Sequence, residues 1–252
     1  KKQGLDPRRI VNVAVTPCTA KKFEIRREEM CDAGKELGIP GMRDMDYVIT
    51  TRELAEWAKS RGIDFTGLKP ERYDSLMGEA SGAGVIFGNT GGVMEAAVRT
   101  AYAVLTGEPV PENLLKLEAV RGMEGIREAS LTINGIKLDI AVVYGTANAR
   151  ILLDKIKAGE KFYQFIEVMT CPGGCIGGGG QPKNILADGD EIRRKRISGL
   201  YRKDESMKLR LSHENPEITQ VYDEFYETSG SEKAERMLHT AYIDRSGDLN
   251  QQ

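Results

Sequence analysis

The segment VMTCPGGCIGGGGQP (168–182) places Cys171 and Cys175 with three residues between them and follows them with four consecutive glycines after Ile176. A thiolate is both a nucleophile and a soft metal ligand, so this pair is the first place to look for chemistry. The chain holds 252 residues and four cysteines, Cys18, Cys31, Cys171 and Cys175. That is far too sparse for a disulfide scaffold. The C-x3-C spacing is not that of a redox C-x-x-C and fits a zinc ribbon poorly. Two chemistries remain open. One is a strained disulfide across the two glycines. The other is an iron–sulfur site, in which the thiolates bracket a bulky cluster and the glycines let backbone N–H groups approach its sulfides.

Cys18 shares the layout of Cys171. RIVNVAVT (9–16) reads as a β-branched strand that ends at Pro17 and delivers Cys18, and YQFIEVM (163–169) reads as a strand that delivers Cys171. Ligands gather at the carboxyl ends of strands in α/β sheets, so Cys18 and the Cys171/Cys175 pair are expected to converge. Cys31 lies among Arg26, Arg27, Glu28, Glu29 and Asp32 and reads as a surface helix thiol.

The elements that must position these cysteines alternate short apolar runs with amphipathic helices, the pattern of an α/β fold. A second strand is expected over 46–51. Thr50 and Glu53 have capping-box spacing for a helix RELAEWAKS, with Leu54, Trp57 and Ala58 as its core face. The apolar run 85–87 is expected as a further strand. It leads into the turn Gly88–Gly92 and a buried helix over 93–106, in which Glu95 and Arg99 have pairing distance along the helix. The glycines there lack both the G-x-G-x-x-G spacing and a following Lys-Ser/Thr, which argues against a phosphate loop. REASLTI and KLDIAVV flank Asn134-Gly135 and predict a hairpin. A helix over 147–157 follows, and two more are expected near 216–228 and 231–242.

Composition bounds the rest. With 40% hydrophobic and 29% charged residues and a net charge of −2, the chain reads as globular, with no argument for a nucleic-acid partner. The one basic run, Arg193, Arg194, Lys195 and Arg196, sits beside Asp188, Asp190 and Glu191 and reads as a solvated face. No stretch approaches the roughly 18 apolar residues of a membrane helix, so no membrane insertion is expected. Free thiols point to a reducing, cytoplasmic setting. A periplasmic one stays open, because the chain starts at Lys1 and the absence of a signal peptide carries no weight.

TPCTAKKFE (16–24) and EVMTCPGGCIGGGGQP (167–182) resemble the second and third cysteine signatures of the iron-only (FeFe) hydrogenases. TTRELAEW, GEASGAGVIFGNTGGVMEAAVRTAY and VRGMEGI resemble that family's catalytic domain. SHENPEI and the closing helix pair resemble its C-terminus. The resemblance implies a two-lobed α/β domain over 1–242, with mixed sheets flanked by helices and the cluster site between the lobes. A disordered tail is expected at 243–252. The implied cofactor is the H-cluster, a four-iron four-sulfur cubane joined through one cysteine sulfur to a two-iron unit with carbon monoxide, cyanide and dithiolate ligands. By motif, Cys18, Cys171 and Cys175 would be three of the cubane ligands, with Cys175 bridging to the two-iron unit. Lys21 would donate to a cyanide ligand. Met169 and Phe87 would wall the two-iron site, with Pro17 and Gly88 beside it.

Two departures qualify the resemblance. Thr16 stands where the best-studied members have a methionine near the bridging carbon monoxide, which would alter the packing and hydrogen bonding of that ligand. The first signature, a Thr-Ser-Cys-Cys-Pro segment with the fourth cubane ligand and a proton-relaying cysteine, is not in the sequence. It would lie upstream of Lys1 or on a separate subunit. The implied activity is reversible proton reduction to dihydrogen, with ferredoxin or another redox carrier as electron partner and maturation proteins supplying the two-iron unit. This chain alone is expected to be inactive. Two alternatives are a sensory hydrogen-binding relative and a Narf-like iron–sulfur assembly protein.

Overall fold

A computed structural model describes residues 4–247. Strand β1 (Val13–Thr16) is followed by two short helices, α1 (Lys21–Glu24) and α2 (Asp32–Leu37), and returns to strand β2 (Tyr47–Thr50). The two strands pair in parallel, from Val13 opposite Tyr47 to Thr16 opposite Thr50. Helix α3 (Thr51–Ser60) starts directly from β2. The expected capping box is present: the Thr50 N–H donates to Glu53 Oε2 (2.7 Å), and the Glu53 N–H donates to Thr50 Oγ1 (3.2 Å). Trp57 corrects the expected core face, because it is 58% exposed. Only Ala58 is buried, with Leu54 partly covered one turn before it. A two-stranded sheet offers a narrow surface, and Trp57 lies just outside the stripe that meets it.

The run 85–87 is not a strand. Residues Gly82–Ile86 form helix α4, capped by the Ser81 hydroxyl, which accepts from the Gly84 N–H (3.2 Å). A short apolar run carries no periodicity that separates strand from buried helix, and here three of the five residues of α4 are buried, Ile86 among them. Helix α5 (Gly92–Thr106) follows and ends at Gly107 in the left-handed region (φ 69°). Next come α6 (Glu112–Leu115), strand β3 (Ile126–Ile133), strand β4 (Ile136–Tyr144), α7 (Thr146–Lys157) and strand β5 (Phe165–Met169). Asn134 and Gly135 both have positive φ (49° and 76°), the twist a tight hairpin turn needs.

The second sheet has the order β3-β4-β5, antiparallel between β3 and β4 and parallel between β4 and β5. Alternation along β4 explains its two-sided burial. Ile140 and Val142 pack with Met94, Val98, Leu114, Leu117 and Val120 on one face. Ala141 and Val143 pack with Leu152 of α7 on the other. Side chains of a strand point to opposite faces in turn, so helices cover both sides of the sheet.

Helix α8 (Gly189–Ser206) is tied to α5 by charge. Arg99, fully buried, donates to Glu95 Oε1 (2.6 Å), Asp204 Oδ1 (2.9 Å) and Asp204 Oδ2 (2.8 Å). The expected Glu95–Arg99 pair is thus the centre of a larger network that Arg121 and Arg210 complete. Buried charges need this pairing, because an isolated one costs several kcal/mol. Helix α9 (Pro216–Val221) continues through a wide turn at Tyr222–Tyr226, and α10 (Glu232–Leu238) closes the chain. Of the expected tail, Arg245 contacts Glu29 (3.1 Å), and 248–252 lie outside the described residues. Among the described residues no helix is long and apolar enough to cross a membrane.

Candidate functional site

The carboxyl ends of β1 and β5 hand the chain to Pro17-Cys18 and to Cys171. Backbone hydrogen bonds lock the loops beyond them together. The Gly180 N–H donates to Pro17 O (2.8 Å), and the Arg52 N–H at the start of α3 donates to Gly180 O (3.0 Å). The turn between α4 and α5 forms the third wall: the Thr90 N–H donates to Gly173 O (3.0 Å), and the Ile176 N–H donates to Gly88 O (3.1 Å).

This close docking accounts for the glycines. A Cβ on Gly174 would sit 2.5 Å from Thr90 N, 2.7 Å from the Asn89 carbonyl carbon and 2.9 Å from Gly88 O, all of them backbone atoms. A Cβ on Gly178 would collide with Pro17 O, and one on Gly180 would lie 2.6 Å from Thr50 Cβ. The N–H groups of Gly174, Ile176, Gly177, Gly178 and Gly180 are already given to the carbonyls of Cys171, Gly88, Gly174, Cys175 and Pro17. Four of these glycines thus spend their N–H groups on carbonyls of the loop and its neighbours. They let three backbone segments touch, which fixes where the cysteines stand.

All four cysteines are free thiols, so the disulfide alternative is not formed. Burial first, and then the neighbouring Cys18, pushes the Cys171 and Cys175 thiols above the ordinary cysteine value, and Cys171 adds to the effect at Cys175. Arg193 opposes the shift at Cys171, and Lys21 opposes it at Cys175. These mutual effects place Cys18 in one neighbourhood with Cys171 and Cys175 although about 150 residues separate it from the pair. Cys31 stands apart. Its thiol donates to Glu28 O (3.0 Å) and its charged neighbour is Lys35.

The donor set is soft. Among the described residues, no three His, Cys, Asp or Glu side chains are arranged to hold a single metal ion. Cysteine thiolates are the ligands that hold iron–sulfur clusters, each sulfur on a different iron. The residues present therefore fit an iron–sulfur group.

Of the remaining expected residues, Thr16, Met169 and Gly88 border these loops. The Thr16 hydroxyl accepts from the Cys18 N–H (3.3 Å), so the residue at the departure from the family pattern orients a cysteine backbone. Lys21, at the first position of α1, is half exposed and pairs with Glu24 (2.5 Å). Met169 is partly buried at the end of β5, and its carbonyl accepts from the Gly145 N–H (2.7 Å). Gly88 accepts from Ile176, while Phe87 is 45% exposed and lines an apolar cleft with Val93, Ala97 and Val104.

The basic run on α8 was not a solvated face throughout. Arg194 and Lys195 are exposed, but Arg193 and Arg196 are turned toward the cysteine loop. Arg196 donates to Ile176 O (2.9 Å) and Pro182 O (2.7 Å). The signal was available in the i,i+3 spacing, which puts these two arginines on one helix face.

Residues 1–179 match the family profile described as iron only hydrogenase large subunit, C-terminal domain, and residues 190–245 match the iron hydrogenase small subunit profile. The chain is 46% identical over 243 residues to the NADP-reducing hydrogenase subunit HndD of Solidesulfovibrio fructosivorans, covering 96% of this chain and 39% of that protein. It is 43% identical to iron hydrogenase 1 of Clostridium pasteurianum, covering 95% of this chain and 40% of that protein. It is also 32% identical to cytosolic iron-sulfur assembly component 3 of Bos taurus, covering 98% of this chain and 51% of that protein. The solved structure of the [FeFe]-hydrogenase HydA(deltaEFG) superposes with a TM-score of 0.76 at 40% identity, over 96% of this chain and 65% of that one. The chain thus spans about two fifths of the length of HndD and of iron hydrogenase 1. By its cysteine loops, its fold and these matches, the chain belongs to the iron-only hydrogenase large-subunit family.

Proposed function

We propose that this chain holds the H-cluster of an FeFe hydrogenase and takes part in the reversible reduction of protons to dihydrogen. The observation that carries the reading is the meeting of three free thiols from two strand ends, locked by backbone contacts and served by two cations. Cys18, Cys171 and Cys175 are the residues that would hold the cubane, and Cys175 is the one that would also serve the two-iron unit. When bound, the group would pass on electrons received from a carrier and offer an open iron position for the reaction.

The chain's own residues supply the setting. Lys21 presents an ammonium to the Cys175 side, where a charge-assisted hydrogen bond to an anionic cyanide is strongest in a dry site. Glu24 holds that ammonium on the first turn of α1. Thr16 spends its acceptor on the Cys18 N–H and keeps its proton to donate. Three thiols leave one cubane corner for a ligand from another segment or subunit. A ferredoxin-type carrier would deliver electrons, and maturation proteins would deliver the two-iron unit.

Infrared spectra and iron quantitation of the matured whole protein test the reading. Carbon monoxide and cyanide bands with hydrogen turnover are the expected result. A cubane without those bands would assign the chain to the assembly-factor branch of its relatives, and bands with negligible turnover would assign it to hydrogen sensing.

A further inference from the structure

Two arginines of α8 face the cysteine loop, and they do different things. Arg196 clamps it, with hydrogen bonds to the carbonyls of Ile176 and Pro182. Arg193 makes no such bond among the described residues, yet it lies on the C-x3-C turn. A Cβ built on Gly177 would sit 3.3 Å from Arg193 Nε, and one on Gly173 would sit 3.5 Å from Arg193 Cδ. Its guanidinium pairs with Asp190, three residues earlier on the same helix, which fixes the rotamer. The arginine side chain is 28% exposed and the aspartate 50% exposed, so the cation is the more covered half of the pair.

We propose that Arg193 is an electrostatic positioning residue for the cluster, held by Asp190 against the Cys171–Gly177 turn so that its charge favours the reduced cubane. The inference rests on the reading of Cys18, Cys171 and Cys175 as cubane ligands. The step concerned is the gain of one electron from a one-electron carrier, or from dithionite in the assay, with no bond made or broken and no proton moved. Reduction adds a negative charge to an already anionic cluster, and a nearby fixed cation eases it. Net charge around a cluster is one of the recognised levers on its potential.

The test is an EPR-monitored redox titration of the whole protein, loaded with iron and sulfide and lacking the two-iron unit. Arg193→Gln is expected to lower the reduced-to-oxidised ratio about tenfold at the wild-type midpoint, a shift of about 59 mV for one electron. Arg193→Lys keeps the charge and is expected to stay near wild type. Asp190→Asn removes the neutralising carboxylate and is expected to raise the midpoint, which no loss of packing would mimic. An intact cubane signal with an unmoved midpoint in Arg193→Gln overturns this inference alone. Equal shifts in the Gln and Lys variants, or a lowered midpoint in Asp190→Asn, overturn it as well. Failure of the wild-type protein to take up any cubane overturns it together with the cluster reading beneath it.

Discussion

Gly174→Ala is the sharpest perturbation of the site that leaves every cysteine in place. Gly174 has φ 92° and ψ −160°, a region in which L side chains are strained. Its added methyl would also meet three backbone atoms of residues 88–90 at 2.5 to 2.9 Å, and backbone cannot rotate out of the way. Strain of this kind costs about 1–3 kcal/mol and overpacking about 1–3 kcal/mol more, so about 2–6 kcal/mol is at stake. The methyl also separates the hydrogen-bonded pairs Thr90–Gly173 and Ile176–Gly88, which flank it. Much of that cost is avoided if the turn lets go of residues 88–90, and Cys175 then leaves its place. The expected result in urea is a lowered unfolding midpoint, with iron and sulfide uptake reduced beyond what the lost stability explains. Gly179→Ala is the control, because its methyl meets only the movable side chain of Thr19, at 3.2 Å. A Gly174→Ala protein with wild-type midpoint and full iron uptake would refute the claim that backbone docking positions the cysteines.

Other outcomes follow from the same contacts. Cys175→Ala should abolish carbon monoxide and cyanide bands in the matured whole protein, while Cys31→Ala should leave iron content and activity near wild type; iron analysis and infrared spectra decide both. Lys21→Met keeps the apolar stem and removes the ammonium, so hydrogen evolution should collapse with the fold intact, as read by an activity assay beside circular dichroism. Asp204→Asn should destabilise the protein by about 3–5 kcal/mol, because Arg99 is left buried and underpaired. Burial works to raise the Asp204 carboxyl, but hydrogen bonds from Arg99 and Arg210 outweigh it and hold the value below that of a free aspartate. Its contribution is therefore present above the unfolded-state value and lost as the pH falls through the lower folded one. Acid unfolding of Asp204→Asn, followed by urea midpoints against pH, should show a shallower decline in that range than the wild type.

What the sequence by itself determined is what neighbours along the chain decide. Asn134-Gly135 set the hairpin because both residues tolerate positive φ. Thr50 and Glu53 set the start of α3 because their side chains reach each other's N–H across one turn. The pairing of Glu95 with Arg99 was readable from one turn of helix, and the cysteines were readable as residues delivered at strand ends. The tertiary structure decided the rest. Val85 and Ile86 became the end of helix α4 because the packing of that helix against α5 and α8 outweighs a weak local preference. Trp57 fell outside a contact stripe whose width only the small sheet could set. Arg193 and Arg196 turned inward because the cysteine loop came to lie beside their face of α8, and the network beyond Glu95 and Arg99 needed Asp204 from that same helix. The glycines on either side of Cys175 looked like open space for a cofactor, yet Gly178 and Gly180 serve contacts with Pro17 and Thr50, and Gly174 serves contacts with residues 88–90. Which backbone a glycine must admit depends on segments distant in the chain, and those are brought together only by folding.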